Sequence, residues 1–277
     1  MQRFSFSENC DKTRLMGIVN LSSDSFYKDS RCYSTEDAMM LAEKMINEGA
    51  DFLDIGAESS RPGSKPIAVE EELAKLIPVV SSLVKKINIP ISVDTYKPAV
   101  AKEVLRAGAK IINDITGLQK YPEMAEIISE FGAGVVVMHM QGNPESMQID
   151  PTYKNVVEEV QEFLATSIKI SKEAGIGPDQ VAIDPGIGFG KTQKHNLTIL
   201  QNLEKFACLE KPILLGISRK SFIGEILNRP EEERLEGSLA ASVLGVSKGV
   251  SIIRTHDVKA TQKAVKVAEA IIKGEIL

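Results

Sequence analysis

Eight short apolar runs recur along the chain, and nearly every one ends in a residue able to do chemistry. They read RLMGIVN ending at Asn20, DFLDIGAES with Glu58, PISVDT with Asp94, IINDIT with Asn113 and Asp114, and VVVMHM with His139. VAIDPG with Asp184, ILLGISRK with Arg219 and Lys220, and SIIRTHD with Arg254, His256 and Asp257 complete the set. Each is rich in Val, Ile or Leu and too short for a helix, as expected of parallel strands buried on both faces. Segments with helical periodicity separate them. Eight such units in 277 residues predict an α/β fold, a single (β/α)8 TIM barrel over residues 1–277. A barrel of this kind carries its active site at the carboxyl ends of its strands. The polar residues gather at those ends, which points to an enzyme.

The chain is 43% apolar, enough for a large core, and its net charge of −5 argues against a protein that coats nucleic acid or a membrane surface. Any anion it binds must therefore meet a local basic pocket. Cys10, Cys32 and Cys208 are scattered, with no C-x-x-C pair, so neither a disulfide framework nor a zinc site is expected. The start, MQRFSFSENCDKTRL, lacks the apolar stretch of a signal peptide, and no run of about 18 apolar residues occurs. A cytoplasmic protein without membrane or nucleic-acid partners is the expectation.

Helix punctuation is clear in places. Ser34-Thr35-Glu36-Asp37 opens a helix to about Asn47 that Gly49 stops. Lys97-Pro98-Ala99 begins another, ended by Gly108, and Tyr121-Pro122-Glu123 a third, ended by Gly132. Further helices are predicted over 153–174, 193–207, 221–228, 234–248 and 257–273. Two connections, 21–34 and 57–70, are long for βα loops, where roughly 2–6 residues is usual. They are either lids over a site or plain surface decoration.

Side chains two apart on a strand share a face, so Arg254 and His256 project together and could hold a phosphate. Alternatively, Arg254 pairs with a carboxylate such as Asp257. In SRKSF, Lys220 can reach the barrel mouth, and Ser221 with the free N–H groups of a new helix can hold a carboxylate, or merely cap it. Asp94, Asn113 and Asp184 can read the donor–acceptor edge of a flat heterocycle, or tie off their strands. DPGIGFGKT imitates a phosphate loop but fails both patterns: Pro185 replaces the first Walker glycine, and Lys191 the last dinucleotide one. Its glycines instead allow a close turn over a ligand, with Phe189 at the rim.

The segments GIVNLSSDSF, GAESSRPGS, SVDT, INDITG, VVVMHMQG, DPGIGFGK, GISRKSF and IRTHDV, in this order, resemble the dihydropteroate synthases, pterin-binding barrels of folate biosynthesis and targets of the sulfonamides. The resemblance covers essentially the whole chain. It implies a transferase that joins 6-hydroxymethyl-7,8-dihydropterin pyrophosphate to p-aminobenzoate and releases pyrophosphate, with Mg2+ as cofactor and a homodimer as assembly. By motif, Asp94, Asn113, Met138, Asp184, Lys220 and Arg254 would bind the pterin. Asn20, Arg61, Arg254 and His256 would surround the pyrophosphate, with Asn20 also a Mg2+ ligand. Phe26, Ser60, Pro62, Phe189, Lys220 and Ser221 would line the p-aminobenzoate pocket. The groups carrying catalysis would be Asp94, Arg61, Lys220, Arg254 and His256.

The first long loop departs from the family. Its usual Thr-Pro-Asp-Ser-Phe-Ser-Asp-Gly-Gly is here Ser22-Ser23-Asp24-Ser25-Phe26-Tyr27-Lys28-Asp29-Ser30, without the proline and both glycines. The second carries Ser60 for the commoner threonine. Two other readings compete: a corrinoid-linked methyltetrahydrofolate methyltransferase, which shares the pterin-binding barrel but has no need of Lys220 with Arg254 and His256, and a non-catalytic pterin-binding paralogue.

Overall fold

The computed structural model describes residues 3–7, 11–21, 32 and 34–275. The eight apolar runs are its eight strands: β1 (Arg14–Asn20), β2 (Phe52–Gly56), β3 (Ile91–Asp94), β4 (Ile111–Asp114), β5 (Gly134–Met138), β6 (Val181–Asp184), β7 (Leu214–Gly216) and β8 (Ile252–Thr255). Consecutive strands pair in parallel, and β1 also pairs with β8, Arg14 opposite Ile252. Between β6 and β7 the ring is joined by one bridge, Ile183 to Ile213. This is a (β/α)8 barrel.

Helices α1 (Thr35–Asn47), α2 (Val69–Leu83), α3 (Pro98–Arg106), α4 (Glu123–Phe131), α5 (Val156–Glu173), α6 (Gln193–Gln201), α7 (Ser221–Leu227), α8 (Leu235–Ser247) and α9 (Val258–Lys273) surround the ring. The Ser34 side chain accepts from Asp37 N at 3.0 Å, and Gly132 ends α4 in the left-handed region, so both expected stops and starts hold. Three elements differ from expectation. Helix α2 was not expected: Ala68 caps it without a side-chain bond and Pro78 lies inside it, although Glu70, Glu71 and Glu72 fill its first turn. The stretch 193–207 divides into α6 and a 3-10 segment, Leu203–Leu209. Strand β7 stops at Gly216, so Arg219 and Lys220 lie in the turn beyond it.

Alternation along the strands sorts the interior into layers. Met16, Phe52, Ile111, Val136, Ala182, Leu214 and Ile252 form an apolar floor that Phe6 closes from below. The N-terminal segment that delivers Phe6 is bonded through Phe4 N to Gly132 O (3.0 Å) and Phe6 N to Asp179 O (2.7 Å). Two residues further along the same strands, the inward positions become Asp54, Asn113, Met138, Asp184, Gly216 and Arg254. The opposite faces of the strands pack on the helices in a second, larger core. Gly17 is required there, since a Cβ would lie 2.7 Å from Met45 Sδ. The floor therefore holds a polar layer just below the barrel mouth.

Candidate active site

That layer is wired together by Arg254. Its Nε donates to Asp54 Oδ2 at 2.6 Å and its Nη2 to Asp94 Oδ2 at 3.1 Å, while Asn113 Nδ2 donates to Asp54 Oδ2 at 3.1 Å. Asp184 Oδ1 accepts from Gly186 N at 2.7 Å. The last inward position on β7 is a glycine, and a Cβ there would come to 3.8 Å from Asp184 Oδ2 and 4.0 Å from Arg254. A side chain at that position would fill the space between the carboxylate and the guanidinium. Asp54 Oδ1 and Ser92 Oγ are buried without a hydrogen-bond partner among the described residues.

Above the layer opens a cavity of about 680 Å3. Asn20, Ser60, Arg61, Pro62, Asp94, Phe189, Lys220, Ser221, Arg254 and His256 all line it, so most of the expected residues are brought together. Asn113, Met138 and Asp184 are not in this lining but buried at its base, 5, 3 and 6% exposed. Phe26 lies outside the described residues. His139, a strand-end histidine, turns away from the mouth, its ring 4.8 Å from that of Phe163.

Carboxylates gather at the base of the cavity, and the cations of its walls stand beside Glu58, Glu231 and Glu232. Burial pushes the Asp94 carboxyl up to about 7 against the pull of Arg254, and neighbouring carboxylates Asp54, Glu72 and Asp114 push the same way. Asp184 is likewise raised by burial, with Lys220 opposing. Burial lowers the Lys220 ammonium to about 8, and Asp184 pulls it back up. On the opposite wall, burial and then the cations Arg254, Arg219, Arg61 and Lys220 hold His256 down to about 3. A neutral imidazole ringed by cations is an anion site awaiting its charge. Its Nδ1 lies 3.1 Å from Ser218 Oγ, which also accepts from His256 N at 3.2 Å.

The alternative pairing of Arg254 with Asp257 is not what forms. Asp257 instead takes Arg219 through two bonds of 2.8 Å each. The same guanidinium donates to Glu231 O and Glu232 O at 3.0 and 2.9 Å, fastening the turn before α8 to the cavity rim. Lys220 Nζ donates to Ile187 O and stands 4.7 Å from the Phe189 ring centroid. Ser221 opens the short extra helix α7 and is exposed at the rim. A short helix after the seventh strand is a recurrent anion-binding device of this fold.

Asp54 and Lys97 were not foreseen, and Glu58, at the end of the DFLDIGAES run, was given no role in the site. Asp54 sits inside the DFLDIG strand, where alternation from the inward Phe52 could have found it. Glu58 lines the cavity and accepts from Ile67 N (2.9 Å) and Lys97 Nζ (2.5 Å). Lys97 also bridges to Glu72 and Ile67 O, both at 2.7 Å, and so clamps the second loop at its base.

A parallel barrel with a carboxylate and amide floor beneath a cationic wall is the architecture of a pterin-binding enzyme. A profile of the family described as pterin binding enzyme matches residues 16–256. The dihydropteroate synthase of Escherichia coli (strain K12) is 44% identical over 261 residues, covering 94% of this chain and 92% of that one. The crystal structure of the Yersinia pestis dihydropteroate synthase with a sulfonamide drug complex superposes with a TM-score of 0.92 at 39% identity, covering 96% of each chain. That of Burkholderia cenocepacia dihydropteroate synthase complexed with 7,8-dihydropteroate gives 0.86 at 39% identity, covering 95% of this chain and 93% of that one. The chain belongs to the pterin binding enzymes, among the dihydropteroate synthases.

Proposed function

We propose that this chain condenses 6-hydroxymethyl-7,8-dihydropterin pyrophosphate with p-aminobenzoate, giving 7,8-dihydropteroate and pyrophosphate. The observation that carries the reading is a cavity with Asp94, Asn113 and Asp184 at its base and Arg61, Lys220, Arg254 and His256 around it. The 7,8-dihydropteroate held by the Burkholderia relative and the sulfonamide held by the Yersinia one support it.

In this reading the flat pterin enters the slot over Gly216, its N–H edge facing Asp184 with Asp94 and Asn113 alongside. Met138 and Arg254 cover its faces. Arg61 and His256 receive the pyrophosphate, whose charge raises the affinity of His256 for a proton. As the carbon–oxygen bond breaks, its electron pair leaves with pyrophosphate and positive charge spreads over the pterin methylene and ring. The carboxylates beneath stabilise that charge, and the cations stabilise the leaving group. The neutral arylamine then attacks the methylene through its nitrogen and loses a proton once the carbon–nitrogen bond has formed. No strong general base is needed. Ser60, Pro62 and Phe189 form the p-aminobenzoate wall, with Lys220 and Ser221 at its carboxylate.

Mg2+ fits the residues present. Among the described residues no three His, Cys, Asp or Glu side chains cluster as a metal cage. A hard cation taken up with a diphosphate needs only one or two protein oxygens, and Asn20 at the cavity supplies one. When bound, the ion would neutralise charge on the departing pyrophosphate. A homodimer in the cytoplasm belongs to the same reading. Exposed Leu244 on α8 and Val267 and Ile271 on α9 give a second copy an apolar face to cover. No described helix is long and apolar enough to cross a membrane.

The test is to mix both substrates with Mg2+ and follow pyrophosphate, with and without a sulfonamide. Pyrophosphate release that requires p-aminobenzoate is expected. Methyl transfer from methyltetrahydrofolate, or no turnover at all, would refute the assignment.

A further inference from the structure

Lys191, the lysine of the phosphate-loop imitation, takes no part in the chemistry above, yet it is one of the most buried cations of the molecule at 2% exposure. Its Nζ donates to Gly186 O (2.9 Å), Phe189 O (3.0 Å) and, at longer range, His139 O (3.4 Å), and shares a hydrogen bond of 2.8 Å with His139 Nδ1. Among the described residues no carboxylate lies within ion-pair distance of it. Removing an ammonium from water is costly unless its partners are well placed. Here those partners are two carbonyls of one turn together with the ring and carbonyl of His139.

That turn is intrinsically loose. Gly186, Gly188 and Gly190 occupy φ of 69°, 85° and 61°, where only glycine is comfortable, and glycine backbones lose most freedom on being fixed. Two of them are pressed against neighbouring chain, since a Cβ on Gly186 would lie 1.8 Å from His139 O and one on Gly190 2.4 Å from Gln141 O. Gln148 Nε2 holds Gly188 O at 2.9 Å, and Tyr153 Oη holds Gly190 O at 2.7 Å. Gly188 and Phe189 are the residues of the turn that line the cavity, and the Phe189 ring lies under Lys220.

We propose that Lys191 is a positioning residue for the second substrate: by fixing the carbonyls of Gly186 and Phe189 it holds the Phe189 ring where p-aminobenzoate must stack. The proposal rests on the assignment of Phe189 to the p-aminobenzoate wall. Asp184, paired with Met138 in the β5 ladder and next to the single bridge from Ile183 to Ile213, keeps its place on the strand without Lys191, so the two substrates should respond differently. A preorganised ring spares the ligand the ordering of the turn.

The full chain is assayed for pyrophosphate release as wild type, Lys191→Met, Phe189→Ala and the double variant. Lys191→Met should raise the KM for p-aminobenzoate about tenfold, the loss of a buried hydrogen-bond network, and leave that for the pterin substrate within about threefold. In the Phe189→Ala background the same change should shift the p-aminobenzoate KM less than about twofold, because the ring it positions is gone. A merely structural lysine would lower the active fraction, and with it kcat, without splitting the two KM values. Equal rises in both KM values, or additive losses, overturn the proposal while leaving the activity assigned. A wild type that releases no pyrophosphate overturns the functional reading and this proposal with it. Should Lys191→Met not fold, Gln148→Ala, on an exposed side chain holding the same turn, is decisive. It should raise the p-aminobenzoate KM about threefold, and only when Phe189 is present.

Discussion

The loops after β2 and β6 face one another across the cavity and are held in opposite ways. The β6 turn is bonded along its length: three of its carbonyls go to Lys191 or Lys220, and two more to Gln148 and Tyr153. The β2 loop is gripped at its base, where Lys97 ties Glu58 to Glu72 and Ile67, and is lightly tied at its apex. There Ser64 Oγ folds back on Arg61 O at 2.7 Å, and Gly63 N donates to Pro144 O of the loop after β5 at 2.9 Å. One wall is built before a ligand arrives. The other is fixed at its base and held by fewer bonds toward its apex. In the proposed chemistry this suits their duties, since an aromatic wall must be rigid and the groups that meet the pyrophosphate must admit it first.

The clamped base should be the more fragile to lose. Lys97→Met strands Glu58 and Glu72, which are 10% and 1% exposed, and should destabilise the protein by about 3–5 kcal/mol in urea titration. A midpoint unchanged from wild type would show that the base of the loop needs no clamp. At the root of the rigid wall, Asp184→Asn replaces a carboxylate facing an N–H edge by an amide with one acceptor. Pterin affinity measured by calorimetry should fall roughly 10- to 150-fold, and an unaltered affinity would remove Asp184 from the site.

Coupling between the walls is tested by Arg61→Ala. The wild type should bind p-aminobenzoate weakly alone and about tenfold more tightly once Mg2+, pyrophosphate and a pterin are present, a coupling the variant should lack. Equal affinity under both conditions in the wild type would mean that both walls are preformed. Acidity reads the two sides together. The Asp94 carboxyl must be ionised, which is lost as pH falls through about 7, and Lys220 must be charged, which is lost as pH rises through about 8. The kcat/KM for the pterin substrate should therefore peak between those values and fall by up to about tenfold per pH unit on either side. A flat profile would show that bound substrate, not the free site, sets both protonation states. The smallest effect is expected from Ser221→Ala, which should raise the p-aminobenzoate KM by an amount worth about 1 kcal/mol and spare pterin affinity.

The barrel was legible in the sequence because doubly buried strands read as continuous apolar runs, and the chemistry because each run changes character at its carboxyl end. Asp94, Asn113, Asp184, Lys220, Arg254 and His256 follow from that rule alone. What escaped depends on distance in space. Asp257 is three residues from Arg254, but the corner between β8 and α9 turns it toward Arg219, thirty-eight positions earlier in the chain. Lys97 reads as an ordinary residue before a helix, since its partners Glu58 and Glu72 belong to another loop. Asp54 was masked by its setting inside an apolar strand, and α2 by the absence of a capping side chain. Phe26 belongs to the first loop, outside the described residues.

The pairing of β1 with β8 has a consequence for how the protein is made. On one edge, residues Arg14 to Gly17 find their partners only at Ile252 to Thr255, so β1 waits for a strand made more than two hundred residues later. At about 5–20 residues per second the nascent chain carries an open, apolar strand edge for roughly 10–50 s. Arg254, which cross-links the polar layer to Asp54 and Asp94, arrives on that same closing strand. The sheet edge most exposed to mispairing during synthesis is thus capped in the same event that completes the site, and no shorter nascent chain can have one without the other.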